Sequence, residues 1–391
     1  MKVGNMTTAT EFIILGLSDN PQLQVPLFLV FLLIYLITLL GNLVIITVTC
    51  ADPRLHTPMY FFLSNLALTD VCYSSNIVPK LLEIFLSRDK IISYAGCMVQ
   101  LYFFLDFGCT ETLLLTAMAY DRYAAICDPL RYSLIMNHRV CVLLAAASWI
   151  NCFLLSGMIT VSVTRLSFCA SNVIDHFFCE FMPLLKLSCS ETATIQSIMF
   201  VIAALMTVPA FFVTLTSYSY IISAILRIRS AEGKRKAFST CSSHLTVVSV
   251  FYLSIFFVYL RPTSSYSQEQ GKLLSILYAA VTPMLNPLIY SMRNKEVKNA
   301  IDKGIRRKNK SNTTPRQPCS TQAQSLVLHH HSPSYGDKLW NSLPEDVVSA
   351  VIVTGVKKGK ESDIAMVESL KSGAGGSSLL PSPEGKDPAH H

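Results

Sequence analysis

Charge is what this chain has least of. Asp, Glu, Lys and Arg together make up 15% of its 391 residues, against 51% hydrophobic residues, and the mean hydropathy is +0.43. Soluble domains carry about a quarter charged residues, so an ordinary water-soluble domain is excluded. Common catalytic patterns are missing too: there is no HExxH helix, no GxSxG elbow and no phosphate-cradling glycine loop. Their absence argues against an enzyme. Internal repeats and paired broken apolar segments, the marks of many transporters, are also lacking. No cleavable leader is expected, because the first residues are polar and the first apolar run is long enough to remain as an anchor.

What is present is a series of seven apolar runs, near 25–49, 58–79, 93–123, 140–163, 195–226, 238–260 and 272–292. A bilayer crossing needs about 20 apolar residues as a helix, so the fold expected is an all-α membrane protein with seven spans. An odd number of spans puts the termini on opposite sides. Arg131 and Arg139, the run RIRSAEGKRK ending at Lys236, and RNKEVKNAIDKGIRRKNK from Arg293 all fall on one side. The positive-inside rule makes that side cytoplasmic. Lys80, Arg88, Lys90, Lys186 and Arg261 are scattered over the other side without dense clusters. The expected organisation is an extracellular N-terminus (1–24), a seven-span domain (25–292), an amphipathic helix on the membrane surface (293–310) and a disordered cytoplasmic tail (311–391). Asn5-Met6-Thr7 is a glycosylation sequon in the outer segment.

Seven of the twelve cysteines, Cys50, Cys72, Cys109, Cys127, Cys141, Cys152 and Cys241, lie in or beside spans and read as small apolar packing residues. Cys97, Cys169, Cys179 and Cys189 fall on the outer side, where four cysteines make two disulfides in any of three pairings.

Charge inside an apolar run needs a reason. FFLDFGCTETLLLTAMAYDRYAAICDPL, starting at Phe103, holds Glu111 in its middle and Asp121-Arg122 near its end. Glu111 and Arg122 are eleven residues apart, close to three full turns, so both project from one face toward the bundle interior. An ionised carboxylate there needs a partner. Asp106 points away from that face and reads as a structural partner.

The motifs GNLVI from Gly41, LHTPMYFFLSNLALTD ending at Asp70, MAYDRYAAIC from Met118, KAFSTCSSHL from Lys236 and PMLNPLIYSMRN from Pro283 occur in order. From about Glu11 to about Arg307 the chain resembles the vertebrate odorant receptors of the rhodopsin-like G-protein-coupled class. The resemblance implies a seven-helix plasma-membrane receptor that binds small, volatile or mostly apolar ligands. It also implies activation of a stimulatory olfactory G protein to raise cAMP, with no nucleic-acid partner. Among the pairings it selects Cys97–Cys179, which would draw the outer loop over the bundle as a lid, and Cys169–Cys189. Pocket positions carried over are Phe104, Leu105, Gly108, Cys109, Ile202, Ala203, Met206, Ile255, Phe256, Tyr259, Ile276 and Ala279, with Tyr252 as floor. Positions carried over for the activation switch are Asp121, Arg122, Tyr123, Tyr218, Asn286, Pro287 and Tyr290, with Asn286-Pro287 supplying a deformable break in span seven. Asp70 is the neighbour implied for Glu111, with Asn42 and Asn286 nearby, and this cluster is expected to hold Na⁺. A proton shared between the two carboxylates is the other reading. No further cofactor is expected.

The chain departs from the family pattern at Leu253, where a glycine usually follows the aromatic pair Phe251-Tyr252, and in its last eighty or so residues. That extension is either a regulatory tail or an artefact of the gene model, and the extent of the resemblance favours the artefact. HFFCE from His176 resembles a copper- or zinc-linked loop motif, but it offers only two free ligands once Cys179 is bridged and reads as structural. The competing functions are a transporter or channel, since charge within spans can mark an ion path, and the same receptor fold in a non-olfactory chemosensory role.

Overall fold

The computed structural model describes residues 10–259, 268–293, 297, 299 and 300, apart from Asp19, Arg88 and Ala170. Asn5, the membrane-surface helix apart from Arg293, Val297, Asn299 and Ala300, and the tail from Ser311 lie outside the described residues, as do the side chains of Ile255, Phe256 and Tyr259. The chain divides into two units, 1–227 with 235–327 and 228–234 with 328–391. In the second, Ser230 Oγ accepts a hydrogen bond from the Gly233 amide at 3.2 Å.

A short strand, β1 (Glu11–Ile14), precedes helix α1 (Pro21–Ala51). Asn20 caps α1 by accepting from the Gln22 amide, and Pro21 stands at the first helical position, where its missing N–H costs nothing. Next come α2 (Pro58–Leu86), strand β2 (Ile91–Ser93) and α3 (Tyr94–Cys127), which Ser93 caps through the Gly96 amide. After a single turn, α4 (Tyr132–Ile135), follows α5 (His138–Thr164), capped by Asn137. The outer loop then forms strand β3 (Val173–Ile174) and α6 (Phe181–Lys186), and the chain returns as α7 (Ala193–Arg227) and α8 (Ala231–Tyr259). The last span is α9 (Gln268–Ile276), a π-helical stretch at Leu277–Val281 and α10 (Thr282–Arg293).

Each apolar run thus forms one long helical segment. Among the described residues, five are long and apolar enough by themselves to cross a membrane: α1, α3, α5, α7 and Gly271–Tyr290. The middle of α2 is diluted by inward-facing Asn65, Asp70, Ser74 and Asn76, and α8 starts with the basic GKRK. The helices are organised inside out relative to a soluble bundle. Leu29, Leu33 and Leu40 of α1 are 58%, 59% and 70% exposed, whereas Asn42, Asp70, Glu111 and Asn286 are buried. Hydrocarbon solvates leucine but cannot satisfy an amide or a carboxylate, so polar groups turn toward one another.

Polar ties hold the spans in register. Asn65 Oδ1 accepts from the Trp149 indole at 3.3 Å, joining α2 to α5. Asn76 and Gln100 exchange side chain-to-backbone bonds of 2.9 Å between α2 and α3, while Gln100 Oε1 accepts from the Cys179 amide at 2.8 Å. At Gly41 a Cβ would lie 2.9 Å from the Pro287 ring, so only glycine lets α1 approach α10 so closely.

At the end where Cys97 lies, β1 is the middle strand of a small sheet, antiparallel to β2 and parallel to β3. Phe12 and Ile14 of β1 are fully buried. Cys97–Cys179 and Cys169–Cys189 are bridged, with Cα atoms 5.5 and 5.8 Å apart. Together the sheet and the bridges fix the loop between α5 and α7 over the helices.

Candidate functional site

Helix α3 connects three groups of candidate residues. From Phe104 to Arg122 it advances about 27 Å at 1.5 Å per residue, enough to reach from the lid to the far end of the bundle.

Near the lid, Phe104 stacks on Tyr73 with centroids 5.8 Å apart and packs against Phe178 at 4.9 Å and Tyr278 at 6.0 Å. Leu105, Ile276 and Ala279 belong to the same apolar cluster, and Leu105 also joins Ile202 in a second one. One turn deeper, a Cβ placed on Gly108 would meet nothing within 4 Å. Glycine here leaves open space on an otherwise packed helix. Cys109, Ala203 and Met206 are half-buried. Tyr252 packs edge-on against Phe211 at 5.2 Å. Leu253, in contrast, is 57% exposed, so the bulk it adds in place of glycine lies outside the bundle and not in the pocket.

In the middle, Asn286 Nδ2 donates to both Asp70 oxygens at 3.1 and 3.0 Å and lies 3.5 Å from Glu111 Oε1. One amide therefore bridges two buried carboxylates on different helices. Asn42 does not join this contact: its amide donates to the Thr38 and Pro283 carbonyls at 3.0 and 3.1 Å, tying α1 to α10. The oxygens Asn42 Oδ1 and Asn286 Oδ1 are buried without hydrogen-bond partners. The π-helical turn, in which the Thr282 hydroxyl donates to the Leu277 carbonyl at 3.0 Å, lies above this cluster. The irregularity of span seven thus sits before Asn286-Pro287, and α10 runs on through Pro287.

At the far end, Arg122 grips Asp121 through both Nε, at 2.8 Å, and Nη2. The other Asp121 oxygen accepts from the Tyr132 hydroxyl at 2.7 Å. Tyr218 pairs with His244 Nδ1 at 2.5 Å, and Tyr290 is buried with its hydroxyl unpartnered. Tyr123 packs against Tyr120 and Tyr220, beside rather than within this pairing.

The lid is latched to the last span. Lys272 Nζ lies 2.5 Å from Asp175, and Glu180 accepts from the Tyr278 hydroxyl at 2.8 Å and the Ser275 hydroxyl at 3.3 Å. Burial pushes the Glu180 carboxyl above its ordinary range, against the pull of those two hydroxyls. His176 Nε2 is 3.2 Å from Glu180 without the alignment of a hydrogen bond. Desolvation, aided by the nearby Lys272 charge, lowers His176 to about 3, so its ring is neutral.

A family model described as Olfactory receptor matches residues 31–308. The chain is 53% identical over 304 residues to Olfactory receptor 5M5 of Mus musculus, covering 78% of this chain and 96% of that one. It is 51% identical over 304 residues to Olfactory receptor 1L4 of Homo sapiens, covering 78% and 98%. The chain belongs to the olfactory receptor family. It is a multi-pass membrane receptor and not an enzyme. The crystal structure of squid rhodopsin shares the fold, with a TM-score of 0.58 and 17% identity over 80% of this chain and 92% of that one.

Sequence reasoning missed several residues of this olfactory receptor: His244, Tyr132, Gln100 with Asn76, and the Ser275–Tyr278 clasp. His244 stands inside the quoted KAFSTCSSHL motif, and a lone histidine within an apolar span was the available signal. The others act through partners distant in the chain and leave no local pattern.

Proposed function

We propose that this olfactory receptor binds small, mostly apolar ligands in the lid-facing half of the bundle and activates a stimulatory olfactory G protein that raises cAMP. Its N-terminus is extracellular and its C-terminus cytoplasmic. One observation carries the reading: a single helix, α3, borders the open space at Gly108, contributes Glu111 to the buried polar cluster and ends in the Asp121–Arg122 pair. Apolar walls with few hydrogen-bonding groups suit a hydrophobic ligand. Movement of α3 against the last span is felt at Asn286 and passed on to Arg122, and opening of that pair, with Tyr218 and Tyr290 moving toward it, admits the G protein. The test is an odorant panel read by a cAMP reporter beside ligand-gated current and substrate uptake. Odorant-evoked cAMP without current or uptake supports the reading, whereas current or uptake without cAMP favours the channel or transporter.

The middle cluster fits Na⁺. Its candidate donors are the carboxylate oxygens of Asp70 and Glu111, which both lie within reach of the Asn286 amide, and hard oxygens suit a hard cation. Na⁺ there would supply positive charge between two carboxylates and favour the resting arrangement in proportion to its differential affinity for it. Replacing Na⁺ by a large organic cation raises basal cAMP in the parent receptor, and Glu111→Gln removes that response. Equal basal activity with and without Na⁺ would leave a shared proton in its place.

A further inference from the structure

Among the free cysteines, Cys109 of α3 and Cys152 of α5 stand apart from the single-thiol packing expected of them. Their sulfurs are 2.7 Å apart. Unbonded carbon atoms pack at about 3.5–4.0 Å, and a disulfide measures about 2.0 Å, so bond formation needs about 0.7 Å of approach. Cys152 is fully buried, whereas Cys109 is half-buried and next to the open space at Gly108. Asp106, one turn earlier on α3, lies within electrostatic range of Cys152 and is buried with Oδ1 unpartnered.

We propose that Cys109 and Cys152 form an oxidisable dithiol within the membrane that a small neutral peroxide, such as hydrogen peroxide, converts into a third disulfide joining α3 to α5. Cys109 is the attacking sulfur because it is the more accessible of the two. Its proton passes to Asp106, and its sulfur takes one peroxide oxygen as the O–O bond breaks. The departing hydroxide recovers that proton and leaves as water. The Cys152 sulfur then displaces hydroxide from the Cys109 sulfenic acid, and this hydroxide leaves as water with the Cys152 proton. Two thiols lose two electrons, and one peroxide becomes two waters. The new bond pins α3 beside Gly108 and can be reversed by a small dithiol reductant.

The test uses the full-length receptor in native membranes treated with hydrogen peroxide. Free thiols are blocked with a light maleimide, disulfides are reduced and relabelled with a heavy one, and each cysteine peptide is quantified. Cys109 and Cys152 are expected to gain heavy label together and ahead of Cys72 and Cys141. A cross-linked peptide lighter by two hydrogens should appear before reduction. In Cys152→Ser, Cys109 should stop at sulfenic acid and be trapped by dimedone, and Asp106→Asn should slow the reaction without moving it. Oxidation of Cys109 and Cys152 no faster than that of Cys72 and Cys141, or absence of the cross-linked peptide from the parent receptor, overturns the proposal even if the variants fail to fold.

Discussion

Glycine at 108 removes a side chain where its neighbours on α3 fill space, and the gap lies one turn below the Phe104 aromatics. Gly108→Leu should therefore fold and reach the surface but crowd the ligand. Misfit of even one methylene costs about 1–3 kcal/mol, so odorant potency should fall at least about tenfold, measured as the cAMP midpoint at matched surface expression. An unchanged midpoint would place the pocket elsewhere. His176 supplies a pH test. Its lowered value means that the opened loop binds a proton which the closed loop refuses, between the ordinary 6.5 and about 3. Closure is thus fully favoured above 6.5 and weakens as pH falls through that window, by up to about tenfold per pH unit. Glu180 works in the opposite sense: its raised value favours closure at acid pH and loses that contribution as pH rises. Hydrogen exchange around Phe177 and Phe178, corrected for intrinsic rate, should quicken on acidification in the parent. In His176→Gln that quickening should vanish or reverse, and identical profiles would contradict the assignment.

Elements were legible in the sequence where a single physical constraint acts over a long stretch. Twenty or more apolar residues state a helix, and the seven runs match seven helical segments to within a few residues at most ends, while the caps Asn20 and Asn137 set starts a few residues before the apolar runs near 25 and 140. The three short strands were not legible. EFII has no alternation long enough to read, and β1 exists because β2 and β3, distant in the chain, supply its partners. The Gln100 clamp and the Tyr218–His244 pair are hidden for the same reason. Helix contacts make two further predictions. Gly41→Val puts bulk 2.9 Å from the Pro287 ring and should cost about 1–3 kcal/mol, seen as a lower melting midpoint of the receptor in detergent. An unchanged midpoint would mean that α1 and α10 yield freely. Cys97→Ser frees the lid from α3, and losing such a bridge costs about 2–5 kcal/mol in small secreted domains. The variant should be retained inside the cell, and normal surface delivery would show that the bridge is dispensable.

For the whole molecule, one helix, α3, takes part in the aromatic contacts under the lid, the buried polar cluster and the Asp121–Arg122 pair. Charge within an apolar run is accounted for by position: Glu111 shares the Asn286 amide with Asp70, and Arg122 is held by Asp121 beside it. Spacing alone placed both charges on the inner face. Asp121 was legible as the neighbour beside Arg122, the partners of Glu111 came from resemblance, and the part played by Tyr132 emerged only in three dimensions. The most direct measurement is the odorant concentration–cAMP curve of Arg122→Ala at surface expression matched to the parent. Because Arg122 is assigned to coupling and not to folding, the account predicts normal surface delivery and a flat curve. A curve with the parent's midpoint and maximum would contradict it.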